Sequence, residues 1–308
     1  MNEIALLDLV GLEDIRKQLF QWIIDKKVNV TMIVLLFVCK DLKTMVELYL
    51  ETGFKQMAGP RKFQICAQVA SSGTVELLKW VHDIGYEWND DTCSDAASSG
   101  HLEVLKWARK NGCPWTSSTC SRAALNGHLE VLKWARENGC PWTSRTCSSA
   151  AYDGHLEIIK WARENSCEWD NWTCANAAFN GNLEVLKWAH ENDCPWDRWT
   201  CLYAAKNGHL EILKWAHENG CDWDSGTCAF AAKNGHLEVL KWARENNCPW
   251  DHDTCMHAAT NGHIKVLQWV HDNGGEWDER ACERAVKNGH PEVVDWAREN
   301  GCKYFEWD

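Results

Sequence analysis

This sequence predicts an all-α fold, a linear stack of helix pairs, and three observations predict it. Nine cysteines, Cys66, Cys93, Cys120, Cys147, Cys174, Cys201, Cys228, Cys255 and Cys282, stand 27 residues apart without one insertion. Each interval holds two short helical patterns separated by a glycine-led turn. The composition, 45% hydrophobic and 25% charged, supplies enough apolar material to bury. Self-similarity at a fixed period is the mark of a repeat array, in which each unit covers its apolar face only against its neighbours. Length alone would suggest two domains at roughly 150 residues each, but an array grows along a line, so the repeats set the organisation.

Residues 1–61 precede the first repeat. The stretches "LEDIRKQLFQWIID" and "MIVLLFVCKDLKTMVELYLE" carry helical patterning, and the second, followed by Gly53, looks like a worn second helix of a repeat. A helical N-terminal cap over the first unit is the expected role. The longest apolar run, Val28 to Cys39, is shorter than the roughly 18–20 residues of a membrane span. No cationic, apolar leader follows Met1, so secretion is not expected.

The unit "TCSRAALNGHLEVLKWARENGCPW" (Thr119 to Trp142) shows how one repeat is built. Thr119 is the expected N-cap of the first helix, Ala123 and Ala124 are small helix formers, and Asn126-Gly127 ends it. The second helix is expected from about Leu129 to Asn138, with Leu129, Leu132 and Ala135 inward and Glu130, Lys133 and Glu137 outward. Gly139 and Pro141 then stop it. In the last unit Glu283, Arg284, Pro291 and Asp295 turn the pattern polar, as a terminal cap should, and "KYFEWD" closes it. Residues 62–308 are therefore read as nine repeats.

These residues resemble the ankyrin repeat, which also joins a Thr-led helix with paired alanines to Asn-Gly-His and a Leu/Val-rich helix ending in Asn-Gly. The departures are regular. Cysteine stands where the family has proline after threonine, and the unit is 27 residues where ankyrin has about 33. The shortfall lies between Gly220 and Thr227, where the family builds a β-hairpin, so shortened or absent hairpins are expected. The resemblance implies a protein-binding scaffold whose concave groove is lined by the first helices. The compact Trp-Ala-Arg, Gly-Cys-Pro-Trp variant looks like divergent repeats common in large DNA viruses of amoebae, which implies a viral protein acting in a host cell. In such proteins an F-box often precedes the array, and "LLFVCKDLKTM" resembles its Val-Cys-Lys stretch, although the usual Leu-Pro opening is absent. That likeness implies the alternative of a substrate receptor for a cullin-type ubiquitin ligase, its adaptor bound through residues 1–61.

Three ladders of residues recur. Nine cysteines share a helix position and seven more, Cys113 to Cys302, a turn. Stacked helices lie roughly 8–10 Å apart whereas a disulfide needs Cα atoms within about 7 Å, so free buried thiols are expected, in a reducing intracellular compartment, cytoplasm or nucleus. The Gly-His ladder contains Asn182 in one unit, so hydrogen bonding explains it without a metal. Trp107 to Trp296 in the second helices and Trp115 to Trp277 after the turns are read as packing between units. Near-identical copies offer no specially activated nucleophile, so neither an enzyme nor a cofactor is expected.

Function should sit where the copies differ. The variable positions are the first, second and fifth after the first-helix cysteine, which share a helix face. Early units place small or polar groups there, such as Ser94, Asp95, Ser121 and Arg122. Later units place Tyr152, Phe179, Leu202, Tyr203, Lys206, Phe230, Lys233, Met256 and His257, with Trp172 and Trp199 just before the threonine. These eleven residues are the candidate partner-binding site, for a protein or peptide. The formal net charge of -12 falls almost wholly outside residues 1–61 and speaks against nucleic acid or anionic membrane as the partner.

Overall fold

The computed structural model describes residues 62–83, 86–275 and 278–301. The expected cap and F-box-like stretch at 1–61, Trp277, and the closing residues 302–308 lie outside the described residues. Within them, eighteen helices of nine residues each alternate: α1 (Lys62–Ala70) with α2 (Val75–Asp83), α3 (Asp90–Ser98) with α4 (Leu102–Lys110), α5 (Ser117–Leu125) with α6 (Leu129–Glu137), α7 (Ser144–Tyr152) with α8 (Leu156–Glu164), α9 (Asn171–Phe179) with α10 (Leu183–Glu191), α11 (Arg198–Lys206) with α12 (Leu210–Glu218), α13 (Ser225–Lys233) with α14 (Leu237–Glu245), α15 (His252–Thr260) with α16 (Ile264–Asp272), and α17 (Glu279–Lys287) with α18 (Pro291–Glu299). No strand occurs among the described residues, and residues 221–224, where a hairpin would stand, form no regular structure. The chain divides into two compact units. One takes the described residues to Ala123 with Glu130–Cys140, the other Ala124–Leu129 with those from Pro141 onward.

The first helices begin earlier than expected. Thr119 is inside α5, and the cap is Thr116, whose hydroxyl accepts the Ser118 N–H at 3.3 Å. Elsewhere the cap is usually aspartate: Asp170, Asp197 and Asp224 each accept the N–H two residues on at 3.0–3.1 Å. A carboxylate suits the position because it satisfies a free N–H and meets the positive end of the helix dipole. Its second oxygen ties repeats together, since Asn171 donates to Asp197 at 2.7 Å and Arg198 to Asp224 at 2.9 Å. The expected cap threonines are instead buried, and the Thr200 hydroxyl finds no hydrogen-bond partner. A buried hydroxyl with nothing to bond is a cost, and the last repeat carries Ala281 at this position. Thr200→Val is expected to raise stability by about 1 kcal/mol, read as a later urea midpoint.

Cys174, Ala177 and Ala178 are fully buried at i, i+3 and i+4 of α9, and the same buried triplet recurs in every first helix from α3 to α15. So slim a face lets successive first helices pack directly on one another, as α7, α9, α11, α13 and α15 do. Each ends in a tight left-handed turn. Gly208 has φ +78, the His209 N–H reaches back to the Ala204 carbonyl at 2.9 Å, and the Gly208 N–H reaches Ala205. The histidine then bonds to the preceding repeat: His209 Nε2 donates to the Phe179 carbonyl at 3.2 Å and His236 to Lys206 at 3.0 Å. Asn182 performs the same task toward Tyr152 at 2.8 Å, so the hydrogen-bonding role expected of this ladder is what the structure shows.

The second helices bury Leu132 and Ala135 as expected but take Val131 in place of Leu129. Val131, Leu132 and Ala135 are buried, while Leu129 is half-buried at the helix start. Their ends close with the same motif: Cys194 donates its N–H to Ala189 at 3.0 Å, with Asp193 left-handed at φ 63. This motif brings the residue after the left-handed one against the residue five before it, here cysteine against alanine. The turn cysteine also donates its thiol to the carbonyl of its own repeat's cap residue, Cys194 to Asp170 at 3.5 Å and Cys221 to Asp197 at 3.3 Å, tying the repeat's exit to its entry. Fourteen cysteines are free and buried, as expected. Cys282 is not: it is disulfide-bonded. The spacing of neighbouring stacked helices does not govern cysteines of the two ladders within one repeat, where they meet, as Cys147 and Cys167 do.

The tryptophans fill the joint between second helices. Trp196 packs edge-to-face on Trp215 of the next repeat at 5.7 Å, and Trp115 on Trp134 at 5.9 Å. The other face of the turn tryptophan carries a cation or imidazole, Arg163 over Trp169 at 4.2 Å and His217 stacked on Trp223 at 3.9 Å. These ladders are scaffold, as their repetition predicts. Replacing Trp188, which meets Trp169 at 5.9 Å, with alanine is expected to lower the unfolding temperature while leaving partner binding by the first-helix face intact.

Candidate functional site

One side of the stacked first helices in the second unit carries a continuous strip of rings. Tyr152, the last residue of α7, stacks on Phe179, the last of α9, at 5.5 Å. Phe179 meets Tyr203 of α11 edge-on at 5.4 Å. Tyr203 continues to Trp199 at 5.7 Å and Trp172 at 6.3 Å, and the two indoles lie 6.5 Å apart, tilted by 23°. Phe230 of α13 approaches His257 of α15 at 6.2 Å. Lys206 joins the two halves, its ammonium 5.4 Å from the Phe179 centroid, 5.8 Å from Tyr203 and 5.9 Å from Phe230. Lys233 lies 5.6 Å from Phe230.

The strip is held from behind. The Phe179 carbonyl accepts from both Asn207, at 2.8 Å, and His209, and the Tyr152 carbonyl accepts from both Asn180 and Asn182 at 2.8 Å. Each ring at a helix end thus projects from a backbone pinned by the following repeat. Trp172 is the most open ring, 42% exposed. Among the described residues no carboxylate pairs with Lys206 or Lys233.

Burial, and then the Lys233 ammonium, hold His257 below the usual imidazole range, against a smaller opposing pull from Asp253 and Asp251. Burial does the same to His236, with His209 and His263 adding to it and the Lys206 carbonyl opposing. Both are therefore neutral near pH 7. A group whose folded pKa is depressed binds fewer protons folded than unfolded, so its stability contribution is complete above the unfolded value, about 6.5, and is lost as pH falls below it. The unfolding temperature is expected to drop between pH 7 and pH 5, and His257→Gln to reduce that drop; thermal melts of both proteins across this range check it.

With this geometry in view, two family models match the chain, ankyrin repeats in three copies over residues 201–281 and ankyrin repeats in many copies over residues 147–190. Residues 147–190 and 201–281 thus match as ankyrin repeats. A crystal structure of the human ASB11 ankyrin repeat domain is similar, at 17% identity, covering 57% of this chain and 96% of that one, with a TM-score of 0.45. No curated protein sequence matches.

The predicted site residues divide. Tyr152, Trp172, Phe179, Trp199, Tyr203, Lys206, Phe230, Lys233 and His257 come together in the strip, and Met256 lies half-buried beside His257. Leu202 does not belong: it is 5% exposed, because the first position after the cysteine turns into the joint between first helices. Ser94 and Ser121 are buried for the same reason, and Arg122 spends its charge on Asp95. Trp172 and Trp199 are not ahead of their helices but two residues past the cap, which aims them along the helix face. Trp172 packs on Trp199 and Tyr203. Arg198, 5.7 Å from the Trp199 ring, joins the site although nothing singled it out. Its signal is positional, a basic residue one place after a cap aspartate and 26 before the next.

Proposed function

We propose that this protein is a non-catalytic interaction scaffold that binds a partner protein or peptide on the ring strip from Tyr152 to His257, and that the bound segment is acidic or phosphorylated. Ankyrin repeats typically bind protein partners, which sets the class. The observation that carries the rest is the pair of lysines without a carboxylate, set among half-open rings on a chain of net charge -12. Aromatic anchors flanked by cations are the usual composition of an energetic centre in an interface. The overall acidity favours a protein over a nucleic acid, and no helix among the described residues is long and apolar enough to cross a membrane.

The test compares the proteins captured from a host lysate by the wild-type chain, by Trp199→Ala/Tyr203→Ala and by Lys206→Glu/Lys233→Glu. Partners that both variants lose while helical content stays unchanged support the proposal. Identical profiles for all three sink it. The ubiquitin-ligase alternative rests on "LLFVCKDLKTM" alone and makes a separate demand: a cullin-linked adaptor should be captured equally by wild type and both variants, and lost when residues 1–61 are removed. The viral setting implied by the repeat variant would place these partners in the host cell.

A further inference from the structure

Seven repeats hold two cysteines 20 residues apart, one in the first helix and one at the turn after the second, and six of these pairs, Cys93–Cys113 to Cys228–Cys248, lie wholly among the described residues. Cys147 and Cys167 share a buried cluster with Ala162, closed over by Trp142, Trp161 and Trp169. The sulfurs of Cys93 and Cys201 lie 4.0 and 3.9 Å from the carbonyls of Cys113 and Cys221. In each of the six pairs the two thiols stand close enough to perturb each other's ionisation. Cys282 occupies the same first-helix position in the last repeat and is disulfide-bonded.

Two repeats supply a contrast. Tyr86 and Gly275 replace the turn cysteine, and there the alanine it normally packs against is Val81 or Val270. A Cβ built on Gly275 would run into Val270. Alanine thus accompanies the turn sulfur, and valine takes the space when the sulfur is gone, so cysteine and alanine behave as one unit within the repeat.

We propose that each of the six pairs is a disulfide-forming site, which closes its helix pair covalently when a low-molecular-weight disulfide such as oxidised glutathione reaches it. One cysteine thiolate attacks the glutathione disulfide and expels a glutathione thiolate. The second cysteine attacks the protein sulfur of the mixed disulfide and expels the other. The repeat loses two electrons, the oxidant gains them, and the two thiol protons end on two glutathione molecules. Burial disfavours the thiolate, so the exchange waits on local opening and quickens with pH.

The experiment incubates the folded full-length chain with oxidised glutathione at pH 8.5, blocks remaining thiols with N-ethylmaleimide, and maps the peptides by mass spectrometry. Links should join cysteines 20 apart, Cys147 to Cys167 and its five equivalents. Cys66 and Cys255, each pushed up to about 12 by burial and without a turn cysteine, should be found alkylated. Cys147→Ser should delete one link, free Cys167 and leave the other five. The oxidised protein should also melt at higher temperature than the reduced one. Links between cysteines 27 apart, glutathione adducts alone, untouched pairs, or links that appear only with loss of helical signal would each overturn the proposal.

Discussion

Valine in place of Gly208 is expected to cost the second unit about 3–5 kcal/mol, whereas asparagine in place of Gly220 should change stability by less than about 0.5 kcal/mol. Both glycines are left-handed, at φ +78 and +84, and both sit at the same place in a helix-ending turn. What separates them is the neighbour. A Cβ at Gly208 would stand 2.8 Å from His236 Nδ1, and one at Gly220 meets nothing within 4 Å. Valine therefore adds a collision to backbone strain, and moving the ring also breaks the His236 bond to the Lys206 carbonyl. The chain already contains the control, since Ser166, Asp193 and Asn247 occupy the second-helix position at φ 63–65. Urea unfolding followed by tryptophan fluorescence reads both variants. Equal losses would mean that φ alone decides, and that the histidine ladder contributes nothing to the glycine's necessity.

That contrast shows why the fold was legible. A residue required in every copy is one that touches the next copy, and the Gly-His pair states such a contact in the sequence, as do the two tryptophan series. Helix number, alternation and the missing hairpin follow from a strict 27-residue period. The helix starts were misplaced because threonine is a good cap by type, while the true cap, three residues earlier, varies among Asn, Thr and Asp and so attracts less notice as a repeated feature. The inward face of the second helix was shifted from Leu129 to Val131 because a nine-residue helix is too short for periodicity to distinguish two neighbouring faces.

The candidate site was legible as a set of positions but not as contacts. Spacing places residues two and five after the cysteine on one face, yet position one shares that arc by sequence and is buried in fact, as Leu202 shows. Only the stacking distance between helices decides which of the three looks outward. The pairing of the cysteine ladders escaped for a related reason. Their 20-residue separation becomes proximity only when the turn after the second helix folds back beside the first, a closure made by the Schellman turn and by thiol bonds such as Cys221 to Asp197.

The second large effect separates scaffold from site. Leu213→Ala is expected to destabilise the second unit by about 3–4 kcal/mol. Leu213 is fully buried, and the equivalent position is a fully buried Leu or Ile from Leu78 to Leu267. The neighbours are held by their own repeated contacts and cannot collapse into the space left, so the cost includes a cavity as well as lost burial. In a stack each unit is stabilised chiefly by its two neighbours, so one weakened joint should also blunt the cooperativity of unfolding. Trp199→Ala removes a larger side chain, but one that is half-buried and faces outward, so it should cost about 1 kcal/mol or less and yet abolish capture of the partner. The comparison is made by urea titration of both variants beside the binding assay. If Trp199→Ala unfolds as early as Leu213→Ala, the ring strip is part of the core, and its contact with Tyr203 and Trp172 is packing and not an offered surface.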